Sequence, residues 1–120
     1  MSKFMLLFWN NEGHSKSLSP ERMQELMKAW MNWVEDLKQG GHLVQTGERL
    51  NAKGKMVRGK AKAVTDGPYA EAKDTIGGYL ILQAVDIEQA VQLAKGCPVL
   101  EADGMVEVRP IVSMSPAGTT

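Results

Sequence analysis

Two strand-length segments, residues 3–9 (KFMLLFW) and 76–85 (IGGYLILQAV), are apolar at both parities of the strand repeat. Side chains alternate across a strand, so a segment of this kind has to be covered on both faces. That demand is hard to meet in 120 residues, because only two other segments carry helical periodicity. The first follows Ser19-Pro20, with serine as N-cap, proline at the first helical position and Glu21 where the helix dipole favours an anion. Its apolar residues Met23, Leu26, Met27, Trp30, Trp33, Val34 and Leu37 advance by threes and fours until Gly40-Gly41 supplies a left-handed stop. The second helix opens on Asp86 with Gln89 three residues later, a capping-box spacing, and runs to Lys95 before Gly96 and Pro98 end it.

Three further segments read as strands. Residues 42–50 (HLVQTGERL) and 56–64 (MVRGKAKAV) are expected to pair as a hairpin across NAKGK, with Arg58, Lys60 and Lys62 on the wet side and Val57, Ala61 and Ala63 on the other. Residues 105–112 (MVEVRPIV) alternate, placing Val106, Val108 and Val112 opposite Met105, Glu107, Arg109 and Ile111. The order strand, helix, strand pair, strand, helix, strand predicts a single α+β, ferredoxin-like domain over residues 1–113, followed by a loose tail, 114–120. Two helices cover only one face of such a sheet. The second greasy face needs a lid, and another copy of the chain is the expected one, making a homodimer.

Fourteen basic residues balance fourteen acidic ones, so the net field selects neither nucleic acid nor an anionic membrane, and neither is expected as a direct partner. The run from Arg49 to Lys62 does hold six cations and no acid. No aromatic interleaves with it, so it reads as a solvated strand face that also protects a sheet edge. A lone cysteine, Cys97, excludes an internal disulfide and fits a reducing compartment. The apolar opening is shorter than a secretory hydrophobic region, and a cytoplasmic location is expected. His14 and His42 have no Cys, Asp or second His at ligand spacing, so neither a metal nor a cofactor is expected. His42 follows the first helix, where an imidazolium favours the dipole, and Cys97 reads as buried and inert.

The densest charge chemistry lies in TDGPYAEAKD, residues 65–74. Asp66-Gly67-Pro68 is turn chemistry, but Asp66 is also a strand-end carboxylate able to accept a proton or pair with a cation. Arg109 sits in an otherwise apolar strand and wants a carboxylate, for which Asp66 and Glu71 are the candidates. Asp66 and Arg109 are therefore the candidate catalytic residues. Tyr69, Glu71 and Lys73 are the candidate ligand-binding residues, suited to a small anionic molecule. Two readings stand: a homodimeric module binding a ligand or partner, and an enzyme using Asp66 as acid or base while Arg109 holds its substrate.

Taken together, VTDGPYAEAKDTIGGYLIL and CPVL…GMVEVRPI resemble the DGPF subgroup of the YCII-related family. Tyr69 stands where that pattern has phenylalanine. The resemblance implies a ferredoxin-like domain that pairs sheet to sheet as a dimeric α+β barrel. It also implies acid–base work by a histidine on the first helix and an aspartate before the proline that follows the second. This chain has Trp30 and Cys97 at those places, and neither can take that role, so the pair is not carried over.

Overall fold

The computed structural model describes residues 1–11, 18–67 and 74–113. Their elements, in chain order, are strand β1 (Ser2–Asn11), helix α1 (Pro20–Gln39), strands β2 (Leu43–Gln45), β3 (Gly54–Arg58), β4 (Ala63–Gly67) and β5 (Asp74–Ala84), helix α2 (Ile87–Ala94), a 3-10 turn (Pro98–Ala102) and strand β6 (Met105–Pro110). The fold is mixed α+β, with two α-helices and antiparallel sheets. The larger sheet is open and has the strand order β2-β5-β1-β6.

Both helices end as their sequences predict. Ser19 Oγ accepts the Arg22 backbone N–H at 3.1 Å, satisfying one of the orphan donors at the start of α1. At the far end Gly41 takes φ +77°, its N–H donates to Lys38 O, and the His42 N–H donates to Leu37 O, which together make a Schellman motif. The Asp86 carboxylate accepts the Gln89 N–H at 2.9 Å, and Gln89 Oε1 accepts the N–H of Val85 at 2.7 Å. The box therefore closes on the residue before the cap.

The central strands β1 and β5 explain the core. Phe4, Leu6 and Phe8 of β1 and Leu80, Leu82 and Ala84 of β5 are buried beneath the helices, where they meet Trp33 and Leu37 of α1 and Ala90 and Ala94 of α2. Leu6, Leu80 and Leu82 are completely covered, a burial that stabilises by roughly 2 kcal/mol for each such side chain. The opposite parity, Met5, Leu7, Trp9, Tyr79 and Ile81, stays half-exposed on a face with no helix over it. No helix among the described residues is long and apolar enough to cross a membrane.

The expected hairpin is corrected. β2 is only three residues long and pairs with β5, whereas β3 pairs with β4 as a separate two-stranded ribbon. The turn lies inside the alternating run: Lys62 N–H donates to Gly59 O at 3.0 Å, and Gly59 and Lys62 take φ +65° and +56°. Lys60 and Lys62 are thus turn residues, and the face assigned to them does not exist. Pro68, Tyr69, Glu71, Lys73 and the 114–120 tail lie outside the described residues.

Candidate functional site

After β2 the chain runs along the outer edge of β5 as an irregular strip. Leu50 N–H donates to Gly77 O at 2.8 Å, Tyr79 N–H donates to Glu48 O at 3.3 Å, and Arg49 bridges to Gly78. Gly77 is the extra residue of a bulge: Phe8 pairs with Gly78 and Trp9 with Ile76, leaving Gly77 without an opposite number. A Cβ at Gly78 would lie 3.0 Å from Glu48 O, so that glycine lets the strip approach closely, while one at Gly77 would meet the Asn10 amide on β1.

Between this strip, the bulge, the first turns of α1 and the 3-10 turn lies a cavity of about 430 Å³, within the range of small-molecule sites. Phe8, Met23, Met27 and Trp30 make its apolar wall, and Asn10, Thr46, Glu48 and Arg49 belong to its polar lining. Trp30 is fixed from behind, with its ring 4.9 Å from Phe8 in an edge-to-face contact and 5.3 Å from Trp33. Trp33 is held in turn by its indole N–H, which donates to Leu93 O at 3.0 Å. The α1 methionines stand at the spacing of packing residues, whether within the protomer or across a dimer seam. Met23 and Met27 are exposed and form the rim of this cavity.

Asp66 and Arg109 are not brought together. Asp66 lies on the ribbon, where its carboxylate accepts from Lys55 Nζ at 2.5 Å. Arg109 lies on β6, the edge strand of the main sheet, and its Nε donates to Glu107 Oε2, also at 2.5 Å. Glu107 additionally accepts the indole N–H of Trp9 at 3.0 Å. The Arg109 hydrogen bond, supported by that of Trp9, holds the Glu107 carboxyl below its ordinary range. These three side chains form a polar strip along one margin of the helix-free face. His42, just past the end of α1, has its Nδ1 2.8 Å from Gln83 O, within hydrogen-bond distance of β5.

Of the two places that the resemblance marks for an acid–base pair, Trp30 lines the cavity and Cys97 does not, although Pro98 beside it does. Cys97 itself is buried. A scan against family models matches the YCII-related domain over residues 2–115. The chain belongs to the YCII-related family. A search of curated proteins finds no match.

Within this YCII-related chain, burial pushes the Cys97 thiol from 9.0 to about 11, offset in part by a backbone hydrogen bond at Val99. At pH 8 that lowers the thiolate fraction about a hundredfold, and iodoacetamide is expected to alkylate the native protein at about 1% of the rate for the unfolded chain. Alkylation at comparable rates would contradict the burial. The linkage has a definite sign. Above pH 9 the unfolded chain loses the proton while the folded chain keeps it, so stability falls between about pH 9 and 11 and is insensitive to this group at lower pH.

Proposed function

We propose that this YCII-related chain is a homodimeric domain of the DGPF type that binds a small molecule in the cavity between α1 and the edge strip of β5. The observation that carries the reading is the wall structure of that cavity. One side is aromatic and thioether, the other has amide, hydroxyl, carboxylate and guanidinium groups within reach, and the whole is sized for a metabolite. Arg49 has no carboxylate partner among the described residues, which suits a ligand with a negative group. For the main sheet, the order β2-β5-β1-β6 supports a ferredoxin-like arrangement with the β3–β4 ribbon inserted between its second and third strands. The half-exposed apolar residues of the helix-free face support pairing of two such sheets as a dimeric α+β barrel.

A thermal-shift screen of metabolites tests the binding site. It compares wild type with Met27→Trp, which fills the cavity from an exposed position, and with Asp66→Asn and Arg109→Met. A ligand at a hundredfold excess over its Kd is expected to raise the midpoint by about 10 °C in wild type and in both polar variants, and not in Met27→Trp. A ligand lost instead on Asp66→Asn moves the site to the end of β4 and favours acid–base chemistry there, and one lost on Arg109→Met moves it to the β6 margin. A screen in which every stabilising compound works equally on Met27→Trp refutes the cavity.

A further inference from the structure

Neither the cavity nor the helix-free sheet face accounts for the β3–β4 ribbon. It is a two-stranded sheet on its own, its strands packing on each other and scarcely on the other described elements. A hairpin of this kind is at best marginally stable in water without a surface to lie on. Two further observations suggest that it has one. In its register Val57 stands directly opposite Val64, flanked by the Lys55–Asp66 ion pair, so one face presents an apolar stripe beside a charged end. The two valines are 67% and 63% exposed, high for a cross-strand pair of β-branched residues. The radius of gyration, 16.4 Å, also exceeds the ~14 Å of a compact domain of this length.

Charge selects the surface. The ribbon, residues 54–67, holds four cations, Lys55, Arg58, Lys60 and Lys62, against one acid, Asp66, a net +3 in a chain of no net charge, so the remaining residues carry a net −3. Arm and body are opposite in sign, and a two-fold pair of copies can set each arm against the other's body. A polyanion would be drawn to the arm but repelled by the body, and it has no use for the valine stripe. Interface size points the same way. Strands of three, eleven, ten and six residues, at ~4.8 Å spacing and ~3.4 Å rise, give a sheet footprint of roughly 500 Å², short of the ~800 Å² per partner of a standard interface.

We propose that the β3–β4 ribbon is a clasping arm: in the homodimer it lies across the second copy, burying Val57 and Val64 and meeting that copy's acidic body with Lys60 and Lys62. This rests on the dimer reading above and adds to it. Sedimentation equilibrium of the full chain tests it with wild type beside a Val57→Glu, Val64→Glu double variant. Both sites are exposed in the protomer, and unchanged circular dichroism verifies that the variant folds. The dimer dissociation constant is expected to rise roughly a hundredfold in the variant. Hydrogen exchange of the residue 54–67 amides in wild type is expected to accelerate at least tenfold on dilution to monomer. A wild-type monomer at micromolar concentration sinks the dimer reading and the arm with it. A wild-type dimer whose affinity the double variant matches within threefold, with ribbon exchange indifferent to dilution, overturns the arm alone. So does a variant that dimerises normally but loses retention on a 20-base-pair duplex, which would make the ribbon a nucleic-acid contact.

Discussion

Gly47→Ala is expected to destabilise the protein by about 3 kcal/mol, lowering the unfolding midpoint by roughly 10 °C. Gly47 has φ +71°, a region that costs an L side chain about 1 kcal/mol. A Cβ there would also lie 2.7 Å from the Tyr79 carbonyl carbon and 2.8 Å from Tyr79 Cδ2. The carbonyl cannot give way cheaply, because Tyr79 belongs to a strand paired on both sides. Overpacking of this sort adds about 1–3 kcal/mol. Relief comes by lifting the strip, which breaks the hydrogen bonds from Tyr79 N–H to Glu48 O and from Leu50 N–H to Gly77 O and opens the cavity wall. Ligand binding should therefore fall with stability. Gly54→Ala is the control: nothing lies within 4 Å of its Cβ and its φ is not positive, so a change within about 0.5 kcal/mol is expected. Chemical denaturation of the two variants decides it, and equal stabilities would mean that the strip is not pinned as described.

The parts of this fold that were legible in the sequence are those fixed by local chemistry. A serine before a proline, a glycine pair after a last apolar turn and an aspartate three residues before a glutamine each satisfy backbone groups next to them, and α1 and α2 begin and end there. The double-sided grease of β1 and β5 likewise identified the two central strands before any pairing was known. Alternation was less informative. Residues 56–64 alternate straight through a turn, since the pattern of side chains does not say where the backbone reverses; Gly59, isolated in an apparent strand, was the available signal.

The cavity was missed for a related reason. Met23 and Met27 stand at core spacing, and periodicity identifies the face of a helix without saying whether protein or ligand covers it. Gly77-Gly78 inside a buried strand was the trace of a close backbone approach. The expected partners of Arg109, Asp66 and Glu71, lie across the chain, yet Glu107 stands two residues away on the same face of β6, close enough for both long side chains to meet. Sharing a face was readable; the choice of partner depended on reach.

Leu7→Glu is expected to weaken self-association more than a hundredfold while leaving the protomer folded. Leu7 is central in the main sheet, opposite Tyr79 on β5 and Glu107 on β6, and it points to the helix-free side with Met5 and Trp9. In an isolated protomer a carboxylate at that position reaches water, so the cost to folding is modest. In a sheet-to-sheet dimer two symmetry-related carboxylates would be brought near each other in the centre of the contact, each stripped of water with no cation opposite. Interface centres tolerate such charges poorly, whereas the Glu107–Arg109 pair, satisfied and at the margin, can remain half-wet. Arg109→Met is thus expected to shift the dissociation constant by less than about tenfold. Light scattering across a concentration series distinguishes the cases. A Leu7→Glu protein that stays dimeric would remove the helix-free face from the interface, and a dimer that fails with Arg109→Met but survives Leu7→Glu would move the contact to the β6 edge.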